Sequence, residues 1–410
     1  MASSIVTAPA EKALIRNPIY VTLETSLMSG GSPPYTPDED NLSCRLEVWR
    51  DVDAGEEMLA RLKAPYSTDD KQVTFDISRL LPRVIALPTP ESIGISPGDP
   101  YSGEAEGLTD VYRLKHADQY GDPVTPEALT TSDDYLAIHG GVPADALQSI
   151  SFAGALIGLH SYYWKRHDAF TFLKPVSTSQ PDWIYFVALV TDDVEVTVTI
   201  HYTDGTFESY VSHTIAVEAN RAYWTQAGHD QLKIADNADP DKTVNGYDVS
   251  LVRVTGMQNA FTAFFVLDDM CPSWEKFLLY HNGLGGYESV RMKGITEYGH
   301  EVSRETFERT RWTDFDVETG EFDDTRVLGG PVFNTHTGHY PAYYVEHLRQ
   351  LLHGKLWIID TDLGEILNDW RFKKIRVDTT QLRIRTDVPA ADGFAITYRH
   401  GWLDDGFNIF

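Results

Sequence analysis

The sequence predicts a mainly β protein: tandem antiparallel β-sandwich-like domains followed by a C-terminal β-rich module containing one amphipathic helix. Three observations predict it. Aromatic residues make up 12% of the 410-residue chain, and such side chains pack well on pleated surfaces. Segments such as "DWIYFVALVTDD", "VEVTVTIHYTDGTFESYVSHTIAVEA" and "YDVSLVRVTG" read as alternating in twos, the period of a half-buried strand. A helical period with start and stop signals occurs in "HYPAYYVEHLRQLLHGK".

At 410 residues the chain exceeds one ordinary domain. Residues 1–125 read as an N-terminal sandwich, with strands at Ile19 to Leu27, Cys44 to Arg50 and Val73 to Ile77 and the turn formers "SGGSPPYTPDED" between the first two. Residues 126–270 read as a middle sandwich in which Thr203-Asp204-Gly205 closes a hairpin and "AFTAFFVL" is a buried strand. Residues 271–410 begin with a hairpin whose first strand runs from Trp274 to Tyr280. The helix then starts near Pro341, places Tyr344, Leu348, Leu351 and Leu352 on one face, and stops at Gly354. Strands return at "KLWIID", "FKKIRVD", "QLRIRTD" and "FAITYRHGW".

Charge narrows the partners. With 34 basic and 61 acidic residues the net charge is -27, a surface that repels phosphate backbones and anionic lipid, so neither nucleic acid nor membrane insertion is expected. No run approaches the ~18 apolar residues of a membrane span. Cys44 and Cys271 are too few for a disulfide framework and read as ordinary reduced thiols. The opening "MASSIVTAPAEKALIRNPIY" lacks a basic leader joined to an apolar stretch, so the expectation is a protein assembled in the cytoplasm and not exported through a signal peptide.

Each motif that could carry chemistry has a plainer reading. "YHNGLGGYESVRMKG", residues 280–294, is glycine-rich, but a dinucleotide cradle would need glycine where Glu288 stands. The residues after its glycines alternate, with Tyr287, Ser289 and Arg291 on one side and Glu288, Val290 and Met292 on the other, so a hairpin turn is expected. His336, His339 and His347 cluster in sequence without the i, i+4 helical pairing of a zinc site. Asp236, Asp239 and Asp241 lie in a polar loop without the calcium-loop spacing. No G-x-S-x-G elbow occurs, and neither cysteine has a nearby histidine. Trp49, Trp164, Trp183 and Trp224 are candidate sugar platforms whose plainer reading is buried sheet aromatics. No catalytic residue, metal ligand or cofactor is therefore assigned, and the expectation is a non-enzymatic protein.

The run from Cys271 through "FLLYHNGLGGYESVRMKG" and "THTGHYPAYYVEHLRQLLHGKLWIID" resembles a recurrent structural protein of tailed phages and prophages from Bacteroidetes-type hosts. The matching positions are Asn282, Gly285, Gly286, Tyr287 and Gly294, then Thr337, Gly338, Leu351 and Leu352; His281 stands where that pattern carries an apolar or aromatic residue. The resemblance implies a virion component of the tail tip, baseplate or an appendage, without catalysis or cofactor, homo-oligomeric and in contact with other virion proteins, with those nine residues as its assembly motif. The alternative is a carbohydrate-binding or receptor-binding adhesive module of the same particle, with a host surface glycan as partner.

Overall fold

The computed structural model describes residues 3–52, 55–86, 90, 101–142, 152, 154–159, 173–255, 259–268, 276–308, 322–348, 351, 355–360, 371–379 and 393–400. Among them strands dominate, arranged in antiparallel sandwiches as expected. No helix among the described residues is long and apolar enough to cross a membrane.

Strands Ser3–Thr7, Tyr20–Thr25 and Gln72–Asp76 form a three-stranded sheet. Along Tyr20–Thr25 every second residue is buried, and Val21 and Leu23, with Val73 and Phe75, meet Leu46, Val48, Leu114 and Ala137 of a second sheet. That second sheet runs Lys12–Leu14, Thr130–Ile138, Thr109–Tyr120, Ser43–Val52, Gly55–Ala64 in spatial order. Cys44 lies in its core, where burial pushes the thiol up to about 12, helped by nearby Asp118; the Tyr66 hydroxyl acts the other way.

The second sandwich pairs a four-stranded sheet (Leu156–Gly158, Trp183–Ala188, Arg221–Gln226, Ser102–Glu104) with a five-stranded one (Leu173–Val176, Asn259–Leu267, Val244–Arg253, Asp192–Tyr202, Phe207–Val217). The last two strands form the hairpin closed at Thr203-Asp204-Gly205, where Gly205 takes φ +83° and donates to the Tyr202 carbonyl at 3.0 Å. Sheet membership interleaves along the chain. Thr130–Ile138 pairs in the first sandwich, while Ser102–Glu104 crosses to the second.

A seven-stranded sheet completes the fold in the order Tyr287–Met292, Lys276–His281, Leu356–Asp360, Arg371–Val377, Ala395–His400, Phe322–His336, Glu297–Glu308. The helix Ala342–His347 covers one of its faces. Pro341 opens the first turn, its carbonyl accepting from the Tyr344 and Val345 N–H groups. Tyr344, Leu348 and Leu351 are fully buried, as their spacing requires; Leu352 and Gly354 lie outside the described residues, as do Cys271, Trp274 and the whole of "QLRIRTD".

The four-stranded sheet is covered on both faces. Trp183–Ala188, read from sequence as an alternating strand, is buried at all six positions. Ile184, Phe186 and Ala188 face the sandwich interior. Trp183, Tyr185 and Val187 face a different core, shared with Phe277, Leu279, Tyr287, Trp357 and Ile359 of the seven-stranded sheet and with Leu136 and Ile138 of the first sandwich. A strand buried on both sides needs an almost continuous apolar run, which is what "WIYFVA" supplies.

Removing a large ring from this shared core should cost far more than trimming the outer surface. Trp183→Ala is expected to lower stability by about 3–5 kcal/mol, whereas Val211→Ala, at a position 51% exposed, should stay within about 0.5 kcal/mol. Denaturant midpoints of the two variants against the parent check this.

Candidate functional site

The strands Lys276–His281 and Tyr287–Met292 pair antiparallel, and residues 282–286 turn between them. Asn282 closes the turn. Its N–H donates to the Gly286 carbonyl at 2.9 Å. Its Oδ1 accepts from the N–H groups of Leu284 (3.0 Å) and Gly286 (2.9 Å), and its Nδ2 donates to the Leu159 carbonyl (3.0 Å) and to Glu288 Oε1 (2.9 Å). Every hydrogen-bonding position of the amide is thus used in a side chain 1% exposed. A phosphate cradle would need those N–H groups aimed outward; here they are turned onto Asn282.

Three parts of the chain meet at this turn. The Gly141 N–H donates to the Gly283 carbonyl at 2.7 Å. Gly285 has φ +113°, and a Cβ there would lie 2.2 Å from the His139 carbonyl oxygen, so only glycine fits. A Cβ on Gly286 would come within 3.0 Å of the Leu159 carbonyl and the Tyr185 side chain.

Beneath the turn lies a buried ionic network. Glu288 Oε2 accepts from Tyr280 Oη at 3.0 Å and lies 2.9 Å from His347 Nε2; the Tyr280 hydroxyl is also 2.8 Å from that nitrogen. Lys174 Nζ is 2.5 Å from Asp182 Oδ2 and 4.0 Å from Glu288 Oε2. Asp182 Oδ1 accepts from the Ser289 N–H at 3.1 Å, and the Asp182 N–H donates to Gln231 Oε1 at 2.9 Å. The side chains of Lys174, Asp182, Glu288 and His347 are all at most 4% exposed.

The two carboxyls respond in opposite directions. Burial raises Asp182, against the pull of Lys174. Burial would raise Glu288 too, but His347, Lys174 and the Asn282 amide together hold it well below the usual carboxylate range. Asp182 thus holds a proton more readily than an ordinary carboxyl, and Glu288 less readily. Tyr280 and Tyr344 are raised by the same burial and by Glu288.

Two further histidines stand beside the turn. His139 and His281 pack edge to face with ring centroids 5.1 Å apart. Burial, then the neighbouring cations Arg16 and Lys355, lowers His139 to about 4. His281 is lowered well below 6.5 by burial, by His139 and by the same two cations. His139 Nδ1 and His281 Nε2 have no hydrogen-bond partner among the described residues.

The sequence-predicted motif falls in two places along one strand. Asn282, Gly285, Gly286 and Tyr287 form the turn, where Tyr287 packs edge-on to Trp357 at 5.3 Å. At the other end Gly294 donates to the His336 carbonyl at 2.9 Å. Thr337 Oγ1 accepts from the Phe394 N–H at 3.0 Å, and Gly338, at φ +71°, donates to His336 Nδ1 at 2.8 Å. Leu351 lies in the core between helix and sheet. Each of these contacts is made within the chain.

Of the histidine trio, His347 belongs to the buried network and His336 to the Gly338 turn, and no three potential metal ligands converge among the described residues. Asp239 Oδ1 accepts from the Asp241 N–H at 3.0 Å, a local loop bond, and Asp236 lies in the short helical turn Ile234–Asn237. Trp183 and Trp224 are buried core residues. Trp49 donates to Glu47 Oε2 and carries Lys115 over its ring; Trp164 lies outside the described residues. Sequence reasoning missed Lys174, Asp182 and Tyr280. One signal was present: Glu288 shares its strand face with Val290 and Met292, a carboxylate where the pattern calls for an apolar side chain.

Asn282→Ala strips four hydrogen bonds from buried partners and should cost about 3 kcal/mol or more, at about 1–3 kcal/mol for each group left unsatisfied, read as a shifted denaturation midpoint. The paired histidines should make the fold acid-sensitive. Both bind protons less readily folded than unfolded, so their contribution is complete above pH 6.5 and is lost as pH falls from there, for His139 down to about 4, by up to about 1.4 kcal/mol per unit for each. Glu288 adds a loss only below its ordinary 4.5, and the raised Asp182 acts in the opposite sense. His281→Phe should therefore flatten the fall in stability between pH 6.5 and 5, measured as midpoint against pH beside the parent.

No family model matches the chain, and no curated protein matches it. Among solved structures it is similar to the plexin A4 full extracellular region, at 10% identity and a TM-score of 0.20, over 98% of this chain and 36% of that one. This chain thus spans about a third of the plexin chain, and a likeness that loose bears on neither fold nor function.

Proposed function

We propose that this chain is a non-enzymatic structural component of a tailed-phage particle or a phage-derived injection machine, of the tail-tip, baseplate or appendage kind, acting through protein–protein contacts. One observation carries the assembly reading. The strand Glu297–Glu308 pairs with Phe322–His336 from Glu297 opposite Asn334 to Glu308 opposite Phe322, but only Phe333–His336 pairs with the rest of the sheet. The remainder, on the order of 35 Å at about 3.3 Å per residue, is a two-stranded ribbon without another strand beside it among the described residues. A lone ribbon is marginally stable in water and leaves a row of backbone donors and acceptors open on each edge. Pairing with a neighbouring subunit supplies both missing neighbours.

Its root is fixed firmly enough to serve as an arm. Phe333 stacks on Tyr398 at 5.1 Å and meets Tyr298 at 5.5 Å, and Arg399 bridges Glu301 of the ribbon and Asp378 of the sheet. Ile295 and Tyr298, 67% and 69% exposed at that root, extend the contact surface. The eight described motif residues would then hold the module that presents the arm, since they tie its turn to Leu159 and His139 and its other end to His336 and Phe394. The burial of Trp183 and Trp224 removes two of the four platforms a glycan-binding reading would use.

Replacing residues 300–331 by a short Gly-Ser turn should leave the body folded, judged by an unchanged circular dichroism minimum and melting transition, while abolishing oligomers in light scattering and incorporation into particles in electron microscopy. A shortened chain that still assembles would remove the ribbon from this role.

A further inference from the structure

We propose that Lys174 and Asp182 condense spontaneously after folding into an intramolecular isopeptide bond, with Glu288 as the proton-transfer group. This inference is independent of the assembly reading and rests on the geometry of the buried network.

The amine and carboxyl are already in contact, Nζ to Oδ2 being 2.5 Å, in side chains 1% and 2% exposed. Both are fixed from behind. Lys174 lies on the strand Leu173–Val176, which pairs in parallel with Asn259–Leu267 and whose Leu173 carbonyl accepts from the Tyr343 hydroxyl at 2.9 Å. Asp182 is held through its own N–H by Gln231, and its other oxygen, Oδ1, accepts from the Ser289 N–H at 3.1 Å and lies 3.4 Å from the Ser289 hydroxyl. Gln180 Nε2 donates to that hydroxyl at 2.9 Å. The oxygen that takes up charge when the carboxyl carbon is attacked thus already faces preorganised donors, while the oxygen that leaves faces the amine.

The balance is that of a simple condensation. Proton transfer across the 2.5 Å contact turns the ion pair into amine and carboxylic acid. The Nζ lone pair forms the C–N bond at Cγ as the carbonyl opens onto Oδ1. Glu288, 4.0 Å from Nζ, takes a proton from the new ammonium and returns it to Oδ2, and the Cγ–Oδ2 bond breaks with release of water. Neither oxidant nor reductant is needed. Tyr280, Asn282 and His347 position Glu288 for this exchange. Burial, which raises Asp182, favours the protonated carboxyl the step starts from. The product is neutral, which relieves the cost of keeping an ion pair away from water. Exclusion of water also protects the amide from hydrolysis.

The test is the intact mass of the full chain, purified folded and then denatured for mass spectrometry. The expected value lies below the sequence mass by one water, about 18 Da, the balance of an amine adding to a carboxylic acid. Trypsin leaves Lys174 and Asp182 in one peptide, residues 167–221, because Pro175 follows the lysine. That peptide should carry the loss and give no backbone fragments between the two residues. Lys174→Arg keeps the cation but removes the primary amine and should restore the full mass; Glu288→Gln should leave most of the chain unlinked. A parent protein at full mass after prolonged incubation overturns the proposal without any variant having to fold. So does a water loss that persists in Lys174→Arg, which would mark cyclisation at an aspartate, or a loss mapped to Glu288 as the linked carboxyl.

Discussion

The union of the four-stranded and seven-stranded sheets depends on satisfying the polar groups trapped between them. Sheets pack face to face for the apolar area they remove from water, yet the Leu159 carbonyl and the Asp182 carboxyl are enclosed where these two meet, with Lys174, Glu288 and His347 buried next to them on the helix side. Each unmet group would cost a sizeable part of a domain's net stability. Asn282 resolves several at once: it satisfies the turn's own N–H groups, reaches across to Leu159, and donates to Glu288. Glu288 in turn gathers Tyr280 and His347 from the helix side. The glycines around Asn282 are a consequence, because a side chain on Gly285 would strike the His139 carbonyl and hold the first sandwich away.

Local features of the fold were well expressed in the sequence, and long-range ones were not. The hairpin at Gly205, the apolar face of Tyr344, Leu348 and Leu351, and the turn at residues 282–286 each arise from neighbours in the chain, so turn chemistry and periodicity express them. Period alone cannot say how many layers cover a strand. "WIYFVA" reads as one more sandwich strand, and only the arrival of Phe277, Tyr287 and Trp357 on its second face explains why no polar residue interrupts it. The ionic site was least visible of all, since Lys174, Asp182, Glu288 and His347 come from four separate stretches. A lysine beside proline and an aspartate before tryptophan are unremarkable letters until the sheets close. Glu288 alone violated its local pattern, and local violations are where function or strain is expected.

The ribbon and the junction obey opposite rules. In the junction, the Asn282 amide is matched within the chain until it has no capacity left. Along the ribbon, beyond Phe333–His336, each strand has only the other as a paired neighbour among the described residues. With a net charge of -27 disfavouring casual association, pairing along so long an edge calls for a specific partner.

The interleaving of the sheets has a consequence for how the chain is made. Ser102–Glu104 is synthesised before most of the four-stranded sheet whose edge it completes, and the outer face of that sheet waits for Phe277, Tyr287 and Trp357 from far downstream. The first sandwich has its own core and can close early, but the middle of the molecule must hold an aromatic surface open while some 180 further residues emerge, counting from Trp183 to Ile359. Folding of this protein is therefore dominated by contacts remote in sequence, the regime of slow, late consolidation, and its last third acts as the lid that ends that exposed interval.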